Sequence, residues 1–303
     1  MIHFETNWKS NDGLTLYAQG WEPEAIPFKA VVCLVHGIGE HSGRYAHEAE
    51  AFAKEGYALF TTDLRGHGKS EGIQGHASSI EVLMQDVDLL LKQASVRYPG
   101  LPMILYGHSL GGILALHYGL KRKPVVKGVL VTSPALHSSL EQQAIKVLAA
   151  KILGALVPKM TLASGLNVNA ISHDLEVIKA YNNDPLVHDR ISVGLGKVLL
   201  QVCKYNLDHA GEFSLPLLLM HGSADAIAFP SSSIEFWRAL ASKHDILIQN
   251  QNALEVRREV IQFSKPLEGK CSLVLWEGGF HELHNEPVKL KVFKTMTDWM
   301  DAL

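Results

Sequence analysis

Cysteine is scarce in this chain. Cys33, Cys203 and Cys271 are the only three in 303 residues, and their separations fit neither a disulfide framework nor the ligand spacing of a zinc site. A reducing compartment follows as the simplest reading. A surplus of positive charge is also missing. Lys and Arg number 28 against 31 Asp and Glu, a formal net charge of −3, so nothing is left to neutralise a phosphate backbone and nucleic acid is excluded as a partner. Sixteen His residues shift that balance at acid pH. No apolar run is long and uncharged enough to span a bilayer, and Met1 to Ser10 lack the basic start and apolar stretch of a secretory signal. The expectation is a soluble cytoplasmic protein, with the membrane surface open as a place of work.

What is present is apolar. Hydrophobic residues make up 47% of the chain and charged ones 19%, which suits a folded core and not a disordered chain. The length implies two domains, or one large α/β domain carrying an insertion. Two β-rich segments, His3–Asn7 and Leu14–Trp21, flank Asn11-Asp12-Gly13, a hairpin signal. Short apolar strands then alternate with amphipathic segments, the pattern of a parallel sheet with crossover helices. The strands expected are Ala30–Val35, Ala58–Thr62, Met103–Tyr106, Gly128–Thr132, Leu217–Met220 and Leu273–Trp276. Helical spacing joins Ile80, Leu83, Met84, Val87, Leu90, Leu91 and Ala94, and again Val292, Phe293, Met296, Trp299, Met300 and Leu303. Between Ser133 and about Gly211 no strand is convincing and helical apolar segments prevail, which marks a cap. Its stretch Ala144–Met160 is apolar on nearly every face, with Lys146, Lys151 and Lys159 as its only charges, so it packs on the core or on a second subunit, or lids an acyl-chain pocket.

Chemistry concentrates in Gly107-His108-Ser109-Leu110-Gly111. This G-x-S-x-G pentapeptide directly follows a strand and precedes the helical run Gly112–Leu120. A nucleophile on a tight strand-to-helix turn needs small neighbours, and the turn lifts Oγ to a helix N-terminus. A serine hydroxyl also needs a general base and a group that orients the base. Asp225 ends His221-Gly222-Ser223-Ala224-Asp225, on the loop at the C-terminal end of one strand, and His281 ends Glu277-Gly278-Gly279-Phe280-His281 after the next; both sit at the sheet edge that carries catalytic groups. Asp208 and His284 compete, but Asp208 follows no strand and His284 lies further from its strand end. One oxyanion donor is expected from the Leu110 N–H and the second from Ile38, in the loop His36-Gly37-Ile38-Gly39-Glu40-His41. Gly66-His67-Gly68-Lys69-Ser70 ends like a phosphate-binding loop, yet Asp63 occupies the position of its first glycine. His281-Glu282-Leu283-His284 lacks the H-E-x-x-H spacing of a metalloprotease. The stretch Asp63–Ser70 reads instead as a turn that shapes the sheet edge.

From about Leu14 to the C-terminus the chain resembles the monoglyceride lipases and the lysophospholipase-like serine hydrolases close to them. The matching stretches run from His36 to Tyr45, from Gly66 to Gly72 and from Gly107 to Gly112. In the cap, Lys146 to Lys151 and Tyr181 to Leu186 also match. The resemblance implies an α/β-hydrolase fold: a mostly parallel central sheet flanked by helices, with a helical cap inserted after the sixth strand. Residues 1–132 and 212–303 would form the core and 133–211 the cap. It further implies a monoacylglycerol as substrate, an apolar tunnel for its acyl chain, transient membrane contact through the cap, and no metal or organic cofactor. Glu40, Arg44, Tyr181 and His284 would receive the glycerol. Each has a plainer reading: a loop ion pair for Glu40 and Arg44, a cap-anchoring hydroxyl for Tyr181, and a helix-capping or surface role for His284. The chain departs from the pattern at Ile38, where the family often has a smaller residue. It departs again in extra length between about Lys243 and Gly269, where Asn252, Leu254, Val256, Val260 and Ile261 suggest an added helix. Lysophospholipase and short-chain carboxylesterase are the alternative activities, and a catalytically silent binding protein is the alternative of another class. An epoxide hydrolase is disfavoured, since it would need an aspartate where Ser109 stands.

Overall fold

A computed structural model describes residues 1–25, 27–139, 156–243, 251–253, 256–262 and 270–303. Ile2–Lys9 (β1) and Thr15–Glu22 (β2) pair antiparallel from Lys9↔Thr15 to Ile2↔Glu22. Gly13 supplies the positive φ of the turn between them, +90°, a conformation glycine adopts without steric cost. The chain then alternates strand and helix: Ala30–Val35 (β3), Ala46–Lys54 (α1), Tyr57–Thr62 (β4), Ile80–Arg97 (α2), Met103–His108 (β5), Leu110–Arg122 (α3) and Gly128–Thr132 (β6). After β6 it leaves the sheet for an insertion containing Thr161–Ala163 (β7), Leu175–Asn183 (α4), Arg190–Ser192 (β8) and Val193–Asp208 (α5). It returns at Leu217–Gly222 (β9), followed by Pro230–Ala241 (α6), Gln251–Ala253 (β10), Val256–Gln262 (β11), Lys270–Trp276 (β12) and Lys289–Asp301 (α7).

Ten of the described strands form one large sheet in the order β1-β2-β4-β3-β5-β6-β9-β12-β11-β10. Its centre, from β4 to β12, is parallel throughout, and antiparallel strands close both flanks. Alternate side chains serve two apolar layers. Val31, Cys33 and Val35 of β3 face the layer built from α2, α3, α5 and α6, with Leu83, Leu114 and Phe236 among its members. Val32 and Leu34 face α1 and α7, where Phe52, Phe293 and Trp299 pack. Each such buried side chain contributes about 1.5–3 kcal/mol by transfer from water, so every central strand is held from both sides and its C-terminal end is fixed. The three cysteines are buried and none is in a disulfide. This is an α/β-hydrolase fold with a helical insertion after the sixth strand.

Two readings of the sequence need correction. The added helix expected between Lys243 and Gly269 is a β-hairpin: β11 pairs antiparallel with β12 from Val256↔Trp276 to Gln262↔Lys270, and β10 pairs with β11. Val256, Val260 and Ile261 are β-branched and favour a strand, and β12 offers an open edge whose backbone groups β11 satisfies. Leu254 lies outside the described residues. The insertion also contains two short strands, β7 and β8, paired antiparallel, where none was expected; at three residues each they are too short to leave a periodic signal. Of the apolar stretch Ala144–Met160, residues 144–155 lie outside the described residues. Leu156, Val157 and Met160 are exposed.

Candidate active site

Ser109 stands between β5 and α3 with φ 52° and ψ −111°, a backbone conformation that costs a side-chain-bearing residue about 1–3 kcal/mol and is held only where the surroundings enforce it. They do so through close approach. A Cβ on Gly107 would fall 2.2 Å from the Gly111 carbonyl oxygen, and one on Gly111 would fall 1.9 Å from that of Val35. Gly111→Ala is therefore expected to cost about 3 kcal/mol by overpacking, read as a lower urea midpoint; an unchanged midpoint would contradict this account of the turn.

Three side chains distant in sequence meet here. Ser109 Oγ lies 3.0 Å from His281 Nε2, and His281 Nδ1 lies 2.7 Å from Asp225 Oδ2. A carboxylate can only accept, so Nδ1 carries the proton and Nε2 accepts from the serine hydroxyl. Relative exposures are 6% for Ser109, 3% for His281 and 4% for Asp225, so bulk water screens little of this pairing. The other carboxylate oxygen, Asp225 Oδ1, accepts the N–H groups of Ile227 at 2.8 Å and Ala228 at 2.9 Å. Burial alone would raise the Asp225 pKa, but the His281 charge and the hydrogen bond from His221 hold it well below the ordinary carboxylate range. For His281, burial disfavours the cation and the Asp225 carboxylate more than compensates, raising its pKa. The His281 loop is pinned by Ser133 Oγ, which donates to the His281 carbonyl at 2.7 Å.

The competitors lie elsewhere. Asp208 ends α5 and pairs with Lys204 at 2.7 Å on the surface. His284 is buried, its ring stacked on Tyr45 at 4.6 Å and set edge-on to His108 at 4.8 Å, which removes the surface reading. Neither of its ring nitrogens has a hydrogen-bond partner among the described residues.

A narrow cavity with room for about one water molecule adjoins Ser109, lined in part by Ile38, Glu40, His108, Tyr181 and Glu282. The loop that carries Ile38 is fixed by its neighbours. His36 Nε2 accepts from the Leu64 N–H at 2.9 Å, and the Gly37 N–H is taken by Glu40 Oε1 at 2.6 Å. Leu110 opens α3, where an N–H has no acceptor within its own helix. Glu40 also accepts from Tyr45 and Arg44. Arg44 in turn grips Glu282 through two bonds of 2.7 Å and lies over the Tyr181 ring, 4.7 Å from its centroid. Glu40 and Glu282 thus form the polar corner of the cavity, and Arg44, outside its lining, ties the two together. Asp63 Oδ1 accepts from the Ser42 N–H and Oδ2 from that of Lys69, so the Asp63–Ser70 turn does brace this edge.

The insertion contributes to both loops. The His188 N–H donates to the Gly39 carbonyl at 2.9 Å, and Asp184 meets His41 at 2.9 Å. On the other side, the N–H groups of His281 and Glu282 donate to the carbonyls of Ala170 and Ile171. Sequence reading gave no role to His221 or Glu282. His221 stands four residues before Asp225 at a strand end, a hint without a stated partner; Glu282 follows His281 directly, and only the fold brings Arg44 to it.

Residues 26–288 match the Hydrolase_4 family, described as serine aminopeptidase, S33. The chain belongs to this family. It is 35% identical over 296 residues to an abhydrolase domain-containing protein of Dictyostelium discoideum, covering 97% of this chain but only 28% of that protein. It is 29% identical to the monoacylglycerol lipase of Mycolicibacterium smegmatis, covering 95% of this chain and 93% of the relative. The crystal structure of Paleococcus ferrophilus monoacylglycerol lipase superposes with a TM-score of 0.75 at 28% identity, covering 99% of this chain and 98% of that one. The chain is an α/β-hydrolase related at moderate identity to monoacylglycerol lipases and esterases.

Proposed function

We propose that this Hydrolase_4 protein is a serine esterase that cleaves monoacylglycerols to fatty acid and glycerol. The observation that carries the reading is the continuous hydrogen-bonded chain from Ser109 through His281 to Asp225, buried beside a cavity with a polar corner. His281 Nε2 takes the Ser109 proton as Oγ attacks the ester carbonyl, and Asp225 holds the imidazolium that forms. The N–H groups of Ile38 and Leu110 bind the oxyanion, each worth about 3 kcal/mol in the transition state. Collapse expels the glycerol oxygen, which receives the proton from His281. Water then gives its proton to His281 and attacks the acyl carbon, releasing the fatty acid and restoring Ser109.

Charge at the polar corner disfavours an anionic headgroup, since the carboxylates of Glu40 and Glu282 outnumber the single Arg44 guanidinium. A lysophospholipid would need a cation for its phosphate, but Arg44 is already bound by Glu40 and Glu282. His284 reaches the cavity wall only through His108, so Glu40 and Tyr181 remain the glycerol-facing candidates, with Arg44 behind them as the partner of Glu40. Exposed Leu156, Val157 and Met160 support a cap that meets a lipid surface, and each acyl CH₂ buried on binding adds up to about 0.8 kcal/mol. Turnover of monoacylglycerols, lysophosphatidylcholine, short p-nitrophenyl esters and an aminoacyl anilide tests this. The expected result is the highest kcat/KM on a monoacylglycerol; a clear preference for any other member of the panel overturns the substrate assignment.

A further inference from the structure

We infer that His221, at the C-terminal end of β9, is a positioning residue for the acid–base pair, a role that rests on the esterase reading above. Asp225 Oδ2 receives two imidazoles, His281 Nδ1 at 2.7 Å and His221 Nε2 at 3.1 Å. His221 Nε2 also lies 3.0 Å from the Ala228 carbonyl. Both of those neighbours only accept, so Nε2 of His221 carries a proton. Its Nδ1 then accepts from Ser233 Oγ, 2.7 Å away on α6. Two donor relays, Ser233 to His221 and Ser109 to His281, converge on Asp225 Oδ2, and Ser233 and His221 are fully buried.

Two donors on one oxygen divide its negative charge. His221 thereby moderates how firmly Asp225 holds the proton on His281, and fixes the carboxylate plane that orients the base. Without the His221 N–H, Oδ2 becomes the stronger acceptor for His281, the imidazolium is stabilised, and the pKa of the base rises. The other groups facing His281 are Glu282, Glu40 and His108, whose ring centroid lies 4.9 Å away; facing His221 are Asp225 and His108. None of these changes in the substitutions below. A residue that merely staples β9 to the following loop predicts the opposite sign: its loss would displace Asp225, weaken the bond to His281, and lower the pKa of the base.

The test compares His221→Leu, His221→Gln and Ser233→Ala with wild type. In His221→Leu the acid limb of kcat/KM on a monoacylglycerol is expected to move to higher pH by about half a unit to one unit. Neutral-pH kcat should fall about 3- to 10-fold with KM little changed. His221→Gln keeps an N–H within reach of Oδ2 and should return the limb to its wild-type position. Ser233→Ala weakens the His221 donor and should move the limb the same way by less, which keeps the test decisive if His221→Leu does not fold. A limb that stays in place or moves to lower pH in folded His221→Leu or Ser233→Ala overturns the inference. NMR titration of the His281 imidazole in the resting protein reads the same pKa without turnover. If that shift appears but no ester is hydrolysed, the esterase reading falls alone; if esters turn over and His281 does not shift, the positioning role falls alone.

Discussion

Ser109→Ala is expected to lower kcat on a monoacylglycerol by about a million-fold, with the thermal midpoint and the binding of a non-hydrolysable ester analogue nearly unchanged. The substitution removes one hydroxyl and leaves the turn, its glycines and the cavity wall in place. Asp225→Asn should cost about ten-thousand-fold for a more specific reason. Every partner of the Asp225 carboxylate is a donor, two backbone N–H groups on one oxygen and two imidazoles on the other. An amide must turn its NH₂ toward one of these sets and face donor with donor, so the variant loses both the tautomer of His281 and some stability. Steady-state kinetics on purified variants, with active-site labelling by a fluorophosphonate, check both. Wild-type rates in Ser109→Ala would sink the mechanism whatever the substrate.

Acid should unfold this protein sooner than its near-neutral composition suggests. His36, His67, His108 and His284 are deeply buried, and burial holds each pKa below that of a free imidazole. Their folded pKa lies beneath the unfolded value near 6.5, so the stabilisation they allow is fully present above that pH and is lost as pH falls below it, when only the unfolded chain takes up protons. Each such group removes about 1 kcal/mol per pH unit, and four together compare with a total stability of about 5–15 kcal/mol. His281 works against this, since its raised pKa gives stability present below 6.5 and lost as pH rises through its folded value. It is one group against four. Asp225, with its depressed pKa, adds a loss only at lower pH, below the ordinary carboxylate range. Urea midpoints should therefore fall steeply from pH 7 to pH 5; a midpoint that holds steady across that range would contradict the buried-neutral assignment.

Much of this organisation was legible because the parallel strands are buried on both faces and so appear as short, nearly continuous apolar runs. The meeting of Ser109, Asp225 and His281 was legible because strand ends in such a sheet deliver side chains to one edge, and each of the three lies on the turn or loop after a strand. The edge hairpin was misread for the converse reason. With Arg257, Arg258 and Glu259 between Val256 and Val260, the apolar spacing suits a helix as well as a strand, and only pairing with β12 decides. Arg44, Glu40 and Glu282 mark a different limit. Their identities were visible, but which of them neutralises which depends on two loops separated by more than two hundred residues.

The carbonyls that Ala170 and Ile171 lend to the base-bearing loop, and the bond from His188 to Gly39, make the insertion a load-sharing wall. Shearing it away would not uncover a ready-made smaller core; it would let both the His281 imidazole and the Ile38 loop sag out of alignment. Grafting a foreign lid onto this core would have to reproduce those three backbone tethers before any reshaping of the cavity counted.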